Sequence, residues 1–177
     1  MRQSTSISRV SVQAGIEPMA AVTLEAAIDP GALLVVDTSA ILAYLDGTEQ
    51  VSGAAAIVFD RLIATGRNSA IISAVSATEV LVRPLRAGST SATGTVDAFI
   101  RSFPNLSIEP VTYAIAREAA RIRAATALRT PDALILATSA VVGSPIVVAN
   151  DDRWVSAVER VGLSVRLLHL DKFSGEA

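Results

Sequence analysis

The sequence predicts an α/β fold: three α/β/α layers around a mostly parallel central sheet of four to five strands. Three observations carry this. Short apolar runs recur along the chain, and Leu33 to Val36 and Ile146 to Val148 are free of polar residues, the pattern of strands covered on both faces. Between them lie stretches of 8–18 residues with helical spacing, and that alternation belongs to parallel sheets. The length of 177 residues, 51% of them hydrophobic, suits a single core without internal repeat or second domain.

Taken in order, Leu33 to Val36 reads as the first strand, closed by Asp37-Thr38-Ser39, after which Ala40 to Leu45 turns helical. Residues 53–65 keep helical spacing and stop at Gly66. Ala70 to Ile72 is a second strand, Ser76 to Leu85 a helix with Pro84 near its end, and 91–103 a helix stopped by Pro104. Leu106 to Ile108 is a third strand, followed by an Ala-rich helix over Val111 to Leu128. Thr130 and Pro131 then read as N-cap and first residue of another helix. Ile146 to Ala149 is a strand, Asp152 to Val161 a helix and Ser164 to Leu168 a last strand. This divides the chain into a flexible extension over 1–30, one domain over 31–171 and a tail over 172–177.

Composition restricts the chemistry. No cysteine means no disulfide, no thiol nucleophile and no Cys-ligated zinc. The one histidine, His169, lies eight residues from the C-terminus, and the one lysine is Lys172, so a Ser-His-Asp triad and a P-loop are poorly provided for. Carboxylates, hydroxyls, arginines and a metal remain. The net charge of −2 is uneven: residues 1–60 carry −5, 61–129 carry +5 and 130–177 carry −2. A basic middle beside acidic flanks suits a phosphate-rich ligand gripped at an acidic centre, although solvated helix faces account for the same arginines. Residues 133–150 run 18 positions without a charge, the length of a membrane span, but Gly143-Ser144-Pro145 cuts them into a buried helix and a buried strand. The N-terminus has no unbroken apolar stretch of signal-peptide length, which points to a cytoplasmic protein. The first 16 residues are free of acids and fit a disordered tail, or an upstream start with Met19 as the true one.

Ligands of an open parallel sheet bind outside the carboxyl ends of its strands. Asp37 follows one strand directly, and Asp151, with Asp152 beside it, follows another. Glu79 sits in an apolar helix, and Asp132 in the first turn of another. Each has an ordinary structural explanation as helix cap, dipole partner, turn residue or solvated position. Four acids gathered together, however, would repel one another unless a partner neutralised them. A hard divalent cation with oxygen ligands, Mg²⁺ or Mn²⁺, answers that need.

These residues resemble the PIN-domain ribonucleases, most closely the VapC-type toxins of bacterial toxin–antitoxin pairs. The resemblance runs through VVDTSAILAYL at 35–45, ISAVSATEVLV at 72–82, TPDALILATSA at 130–140 and VVANDDRW at 147–154, with intervals of 42, 53 and 19 between the acids. It covers Leu33 to Leu170 and implies a PIN-like fold with an acidic quartet of Asp37, Glu79, Asp132 and Asp151. Asp37, Asp132 and Asp151 would hold Mg²⁺, or Mn²⁺ in its place. Ser39 would hold a water on the metal or a substrate phosphate, with Thr38 and Asp152 as supporting neighbours. Asp151 is preferred to Asp152 because Trp154 supplies the family's aromatic three residues on. Two departures stand out: Ala149 replaces a frequent threonine, and the first 30 residues have no counterpart in compact members.

The implied activity is a magnesium-dependent endoribonuclease, in which Asp37 or Asp132 takes a proton from the attacking water and cleavage leaves a 5′-phosphate and a 3′-hydroxyl. Arg117 and Arg121, one helical turn apart, are candidates for holding RNA phosphates. Aromatics make up only 4% of residues, so selection by RNA shape with a short exposed sequence is expected over base stacking. The resemblance further implies a cognate antitoxin and a homodimer, with no membrane. A PIN-like domain that binds RNA or protein without cleaving is the alternative. Haloacid-dehalogenase-like phosphatases and receiver domains fit poorly, because each wants a downstream lysine that only Lys172 offers.

Overall fold

The computed structural model describes residues 23–175. Five strands, β1 (Leu34–Val36), β2 (Ala70–Ser73), β3 (Leu106–Glu109), β4 (Ile146–Ala149) and β5 (Arg166–His169), pair in the order β3-β2-β1-β4-β5. Every pairing is parallel, so the sheet is parallel throughout rather than mostly so. Among the described residues eight α-helices connect or flank the strands: α1 (Leu24–Ala27), α2 (Thr38–Asp46), α3 (Ser52–Ala56), α4 (Ala74–Arg86), α5 (Thr90–Ser102), α6 (Tyr113–Ala125), α7 (Thr130–Val142) and α8 (Arg153–Val161).

The pleat sorts the strands' side chains into two cores. Leu34, Val36, Ile146 and Val148 face one, with Leu24 and Ile28 near α1, Ile41 of α2 and Phe99 of α5. Val35, Val147 and Ala149 face the other, with Ile115 and Ile122 of α6, Leu136 of α7 and Trp154 of α8. Uninterrupted apolar strands are therefore the consequence of helices on both faces. Tyr44, Phe59, Phe99 and Phe103 form one aromatic cluster, with centroid separations from 4.5 Å (Tyr44–Phe59) to 6.0 Å (Tyr44–Phe103). Trp154 is buried in the second core, and Tyr113 is the one exposed aromatic among the described residues. Few rings are left to stack on bases.

The structure differs from expectation at the two ends of the domain and in two helices. The flexible extension over 1–30 lies, for residues 1–22, outside the described residues, whereas residues 23–30 pack on the domain. Leu24 and Ile28 are fully buried, and the Arg67 guanidinium donates to the carbonyls of Glu25 (2.9 Å) and Ile28 (2.8 Å). Asn68 likewise donates to the carbonyls of Asp29 and Ala32, both at 2.9 Å. At the other end, residues 170–173 form a 3₁₀ turn whose Phe173 packs against the first core, so the described part of the tail is also docked. The helix expected over 53–65 is α-helical only to Ala56, then widens to a π-helical stretch, Ile57–Ile63, closed by Ala64 N–H on the Phe59 carbonyl at 2.8 Å. Finally, the cap of α7 is Arg129, not Thr130: the helix starts one residue early and Pro131 takes its second position, with no side-chain cap bond.

Candidate active site

The order β3-β2-β1-β4-β5 reverses direction between β1 and β4, which opens a crevice at their carboxyl ends. Asp37 follows β1, and its N–H donates to the Val148 carbonyl at 2.9 Å, joining the two strand ends. It caps α2: its Oδ2 accepts from Ser39 N–H at 3.1 Å and from Ser39 Oγ at 2.6 Å. The same Ser39 hydroxyl accepts from Asn150 N–H at 3.2 Å, so the loop after β4 is fastened to the cap. Thr38 Oγ donates to Glu79 Oε2 at 2.6 Å, which brings the acid of α4 to the start of α2 across 41 residues of sequence.

Asp37 is buried, and burial holds its carboxyl above the ordinary range. The bonds from Ser39 and Thr38 pull it down, and the nearby Glu79 charge pushes it up. Among the described residues, neither Asp37 nor Glu79 has a cationic partner.

Asp132 and Asp151 are held differently. Asp132, also buried, takes Arg129 Nε on its Oδ2 at 3.1 Å. Asp151 is gripped by Arg153, whose Nε lies 2.9 and 3.0 Å from the two carboxylate oxygens and whose backbone N–H donates to Oδ1 at 3.0 Å. Arg153 holds the Asp151 carboxyl below the ordinary range, with a smaller contribution from Arg129, while Asp132 in turn acts on Arg153. Two acids and two arginines thus form one charge group beside the uncompensated Asp37–Glu79 pair.

Arginines therefore supply part of the neutralisation that the acids' repulsion calls for. Among the described residues no three acidic or histidine side chains converge as ligands of one ion. Asp37 and Asp151 follow β1 and β4 and Asp132 lies in the first turn of α7, and the guanidiniums of Arg129 and Arg153 pair with Asp132 and Asp151. Asp152 is set apart: it is exposed, and its Oδ1 lies 3.5 Å from Nδ1 of the buried His169 on β5. Arg117 and Arg121 are not brought to the crevice. Both line a depression with Ala140 and Val141, which lie eight and nine residues beyond Asp132 and hence about 12–14 Å along α7. Arg121 is moreover paired with Glu118 at 3.0 Å from its Nε and donates to the Val161 carbonyl. Arg129 and Arg153 were the missed site residues. Their signal was spacing: an arginine three before one acid and two after another can fold back onto it.

The switch point of this parallel α/β sheet thus carries oxygen-donor side chains, Asp37 with Ser39 and Thr38 with Glu79. The PIN domain family model matches residues 34–160, and the chain belongs to that family. Its fold is similar to that of the VapC20 toxin of Mycobacterium tuberculosis, described as cleaving the sarcin-ricin loop: 20% identity over 70% of this chain and 94% of that one, TM-score 0.58. VapBC2 of Rickettsia felis, solved with a DNA fragment from its promoter, shares 13% identity over 77% and 98% of the two chains, TM-score 0.58. VapBC-5 of Mycobacterium tuberculosis, a toxin–antitoxin system, shares 24% over 78% and 98%, TM-score 0.53. No curated protein matches the chain by sequence. Among the described residues no helix is long and apolar enough to cross a membrane.

Proposed function

We propose that the chain is a divalent-metal-dependent endoribonuclease, the toxin of a toxin–antitoxin pair. One observation carries the reading: Asp37 is buried at the switch point, beside Glu79, with hydroxyl partners but no cation. Two acids left that way want a positive ligand, and an all-oxygen donor set suits Mg²⁺ or Mn²⁺. Asp37, Asp132 and Asp151 are the residues that would hold it, the last two on release from their arginines. When bound, such an ion supplies Lewis acidity at a scissile phosphate.

The chain's own residues do the rest. Ser39 orients the Asp37 carboxylate, and Thr38 orients Glu79. Asp37, raised by burial, is suited to accept a proton from the attacking water, a role that Asp132 shares as a candidate. In-line attack leaves a 5′-phosphate and a 3′-hydroxyl. With Tyr113 the one exposed aromatic among the described residues, target choice rests on RNA shape and a short exposed sequence. The partners are the RNA, a small antitoxin and a second copy of the chain, in the cytoplasm.

A second reading, an RNA- or protein-binding PIN-like domain without cleavage, draws support from the arginine pairs on Asp132 and Asp151. One assay separates the two. Purified protein is incubated with total RNA and Mg²⁺ or Mn²⁺, with and without EDTA, beside Asp37→Asn and Asp132→Asn. Cleavage that EDTA and either substitution abolish supports the nuclease. RNA left intact with every metal, or cut equally by the variants, overturns it.

A further inference from the structure

Beside the acids lies a cleft of about 270 Å³ lined by the loop before α7 and one face of α8. Its polar walls are Arg129, Arg153 and Arg160, with Ser156, Thr126 and the Asp132 carboxyl at the edge. Two of the three guanidiniums answer Asp132 and Asp151; Arg160 has no acidic partner among the described residues. The cleft therefore carries surplus positive charge, and its wall includes Asp132 and the Arg153 that pairs with Asp151. It is smaller than the roughly 300–1,000 Å³ of pockets that enclose whole small molecules. No exposed ring lines it, so it offers nothing for a base to stack on.

We propose that this cleft is a phosphate subsite for the RNA strand, in which Arg160 holds a backbone phosphate next to the scissile one. The inference rests on the reading that RNA is the ligand of the acidic crevice. A guanidinium presents its donors in a fork that matches two phosphate oxygens, which an ammonium does not reproduce. Arg129 and Arg153 share this chemistry but are tied to the acids; Arg160 is the member free to bind before either pair opens. Arg160 is exposed on the last turn of α8, so its replacement leaves the fold intact.

The test is the affinity of a short fluorescent single-stranded RNA for the full chain in EDTA, read by anisotropy over a salt series. Arg160→Gln is expected to weaken binding roughly fivefold and to flatten the log–log salt slope by about 0.7, the loss of one single-strand phosphate contact. Arg160→Lys keeps the salt slope but not the full affinity, and Arg101→Gln, exposed on the last turn of α5, keeps both. Wild-type affinity and slope in Arg160→Gln overturn the proposal, as happens if the cleft takes an acidic peptide instead. The outcome is separable from that of the cleavage assay. Uncut RNA with Arg160-dependent binding removes the nuclease and keeps the cleft; cleavage unaffected by Arg160→Gln, with unaltered binding, does the reverse.

Discussion

Replacing Thr38 with valine removes one hydroxyl and almost no volume, so the loss is that of a single hydrogen bond. Thr38 Oγ donates to Glu79 Oε2 at 2.6 Å, between residues 41 apart in sequence and only partly shielded from water. A bond to a charged group contributes about 1.5–3 kcal/mol net, and partial exposure places this one near or below the lower end, about 1–2 kcal/mol. For a chain of 177 residues each kcal/mol lowers Tm by about 2–4 °C, so Thr38→Val is expected to melt about 2–8 °C lower. Because the bond sets the position of an acid, cleavage is expected to fall about tenfold if about 1.4 kcal/mol of that positioning is lost. Thr38→Ser, which keeps the donor, restores most of both. Calorimetric melts of Thr38→Val, Glu79→Gln and the double variant form a cycle with a coupling energy near the same 1–2 kcal/mol. A coupling indistinguishable from zero, or a Thr38→Val protein as stable and active as the parent, refutes the claim that Thr38 holds Glu79 in place.

Burial raises the Asp37 carboxyl, so its contribution to stability is present below the unfolded-state value and disappears as pH rises through the higher folded value. Asp37→Asn, which cannot ionise and still caps α2, should abolish cleavage yet melt above the parent at neutral pH, with the gap closing toward acid; equal melting at every pH sinks this account. Leu24→Ala is expected to cost about 2–5 kcal/mol in chemical denaturation, because the fully buried side chain leaves a cavity under α1. A surface-like change under 0.5 kcal/mol would mean that α1 is not part of the domain. EDTA is expected to stop RNA cleavage, and added Mg²⁺ or Mn²⁺ to restore it, as followed on a gel.

The strands and the major helices were legible because their signals are local, and so were the places of Asp37 and Asp151 directly after strands. An apolar run such as Ile146 to Ala149 must be buried on both faces wherever it lies, and an acid directly after a strand sits at the sheet's ligand edge whatever follows. That acids gathered together would repel was legible too; that Glu79 is the one acting on Asp37 was not. What the residues alone could not show was which partner each acid takes. Arg129 and Arg153 are near their acids in sequence, yet so are Arg121 and Glu118, and only the tertiary arrangement separates the pairs on Asp132 and Asp151 from one in the middle of α6. The same holds for residues 23–30, whose short helix has little intrinsic stability and is held by Arg67, Asn68 and the core. Sequence by itself determined the layered α/β architecture and the oxygen-donor chemistry, because periodicity and residue type act locally. Tertiary structure decided which charges meet, because Coulomb and hydrogen-bond energies depend on distances that only the closed fold sets.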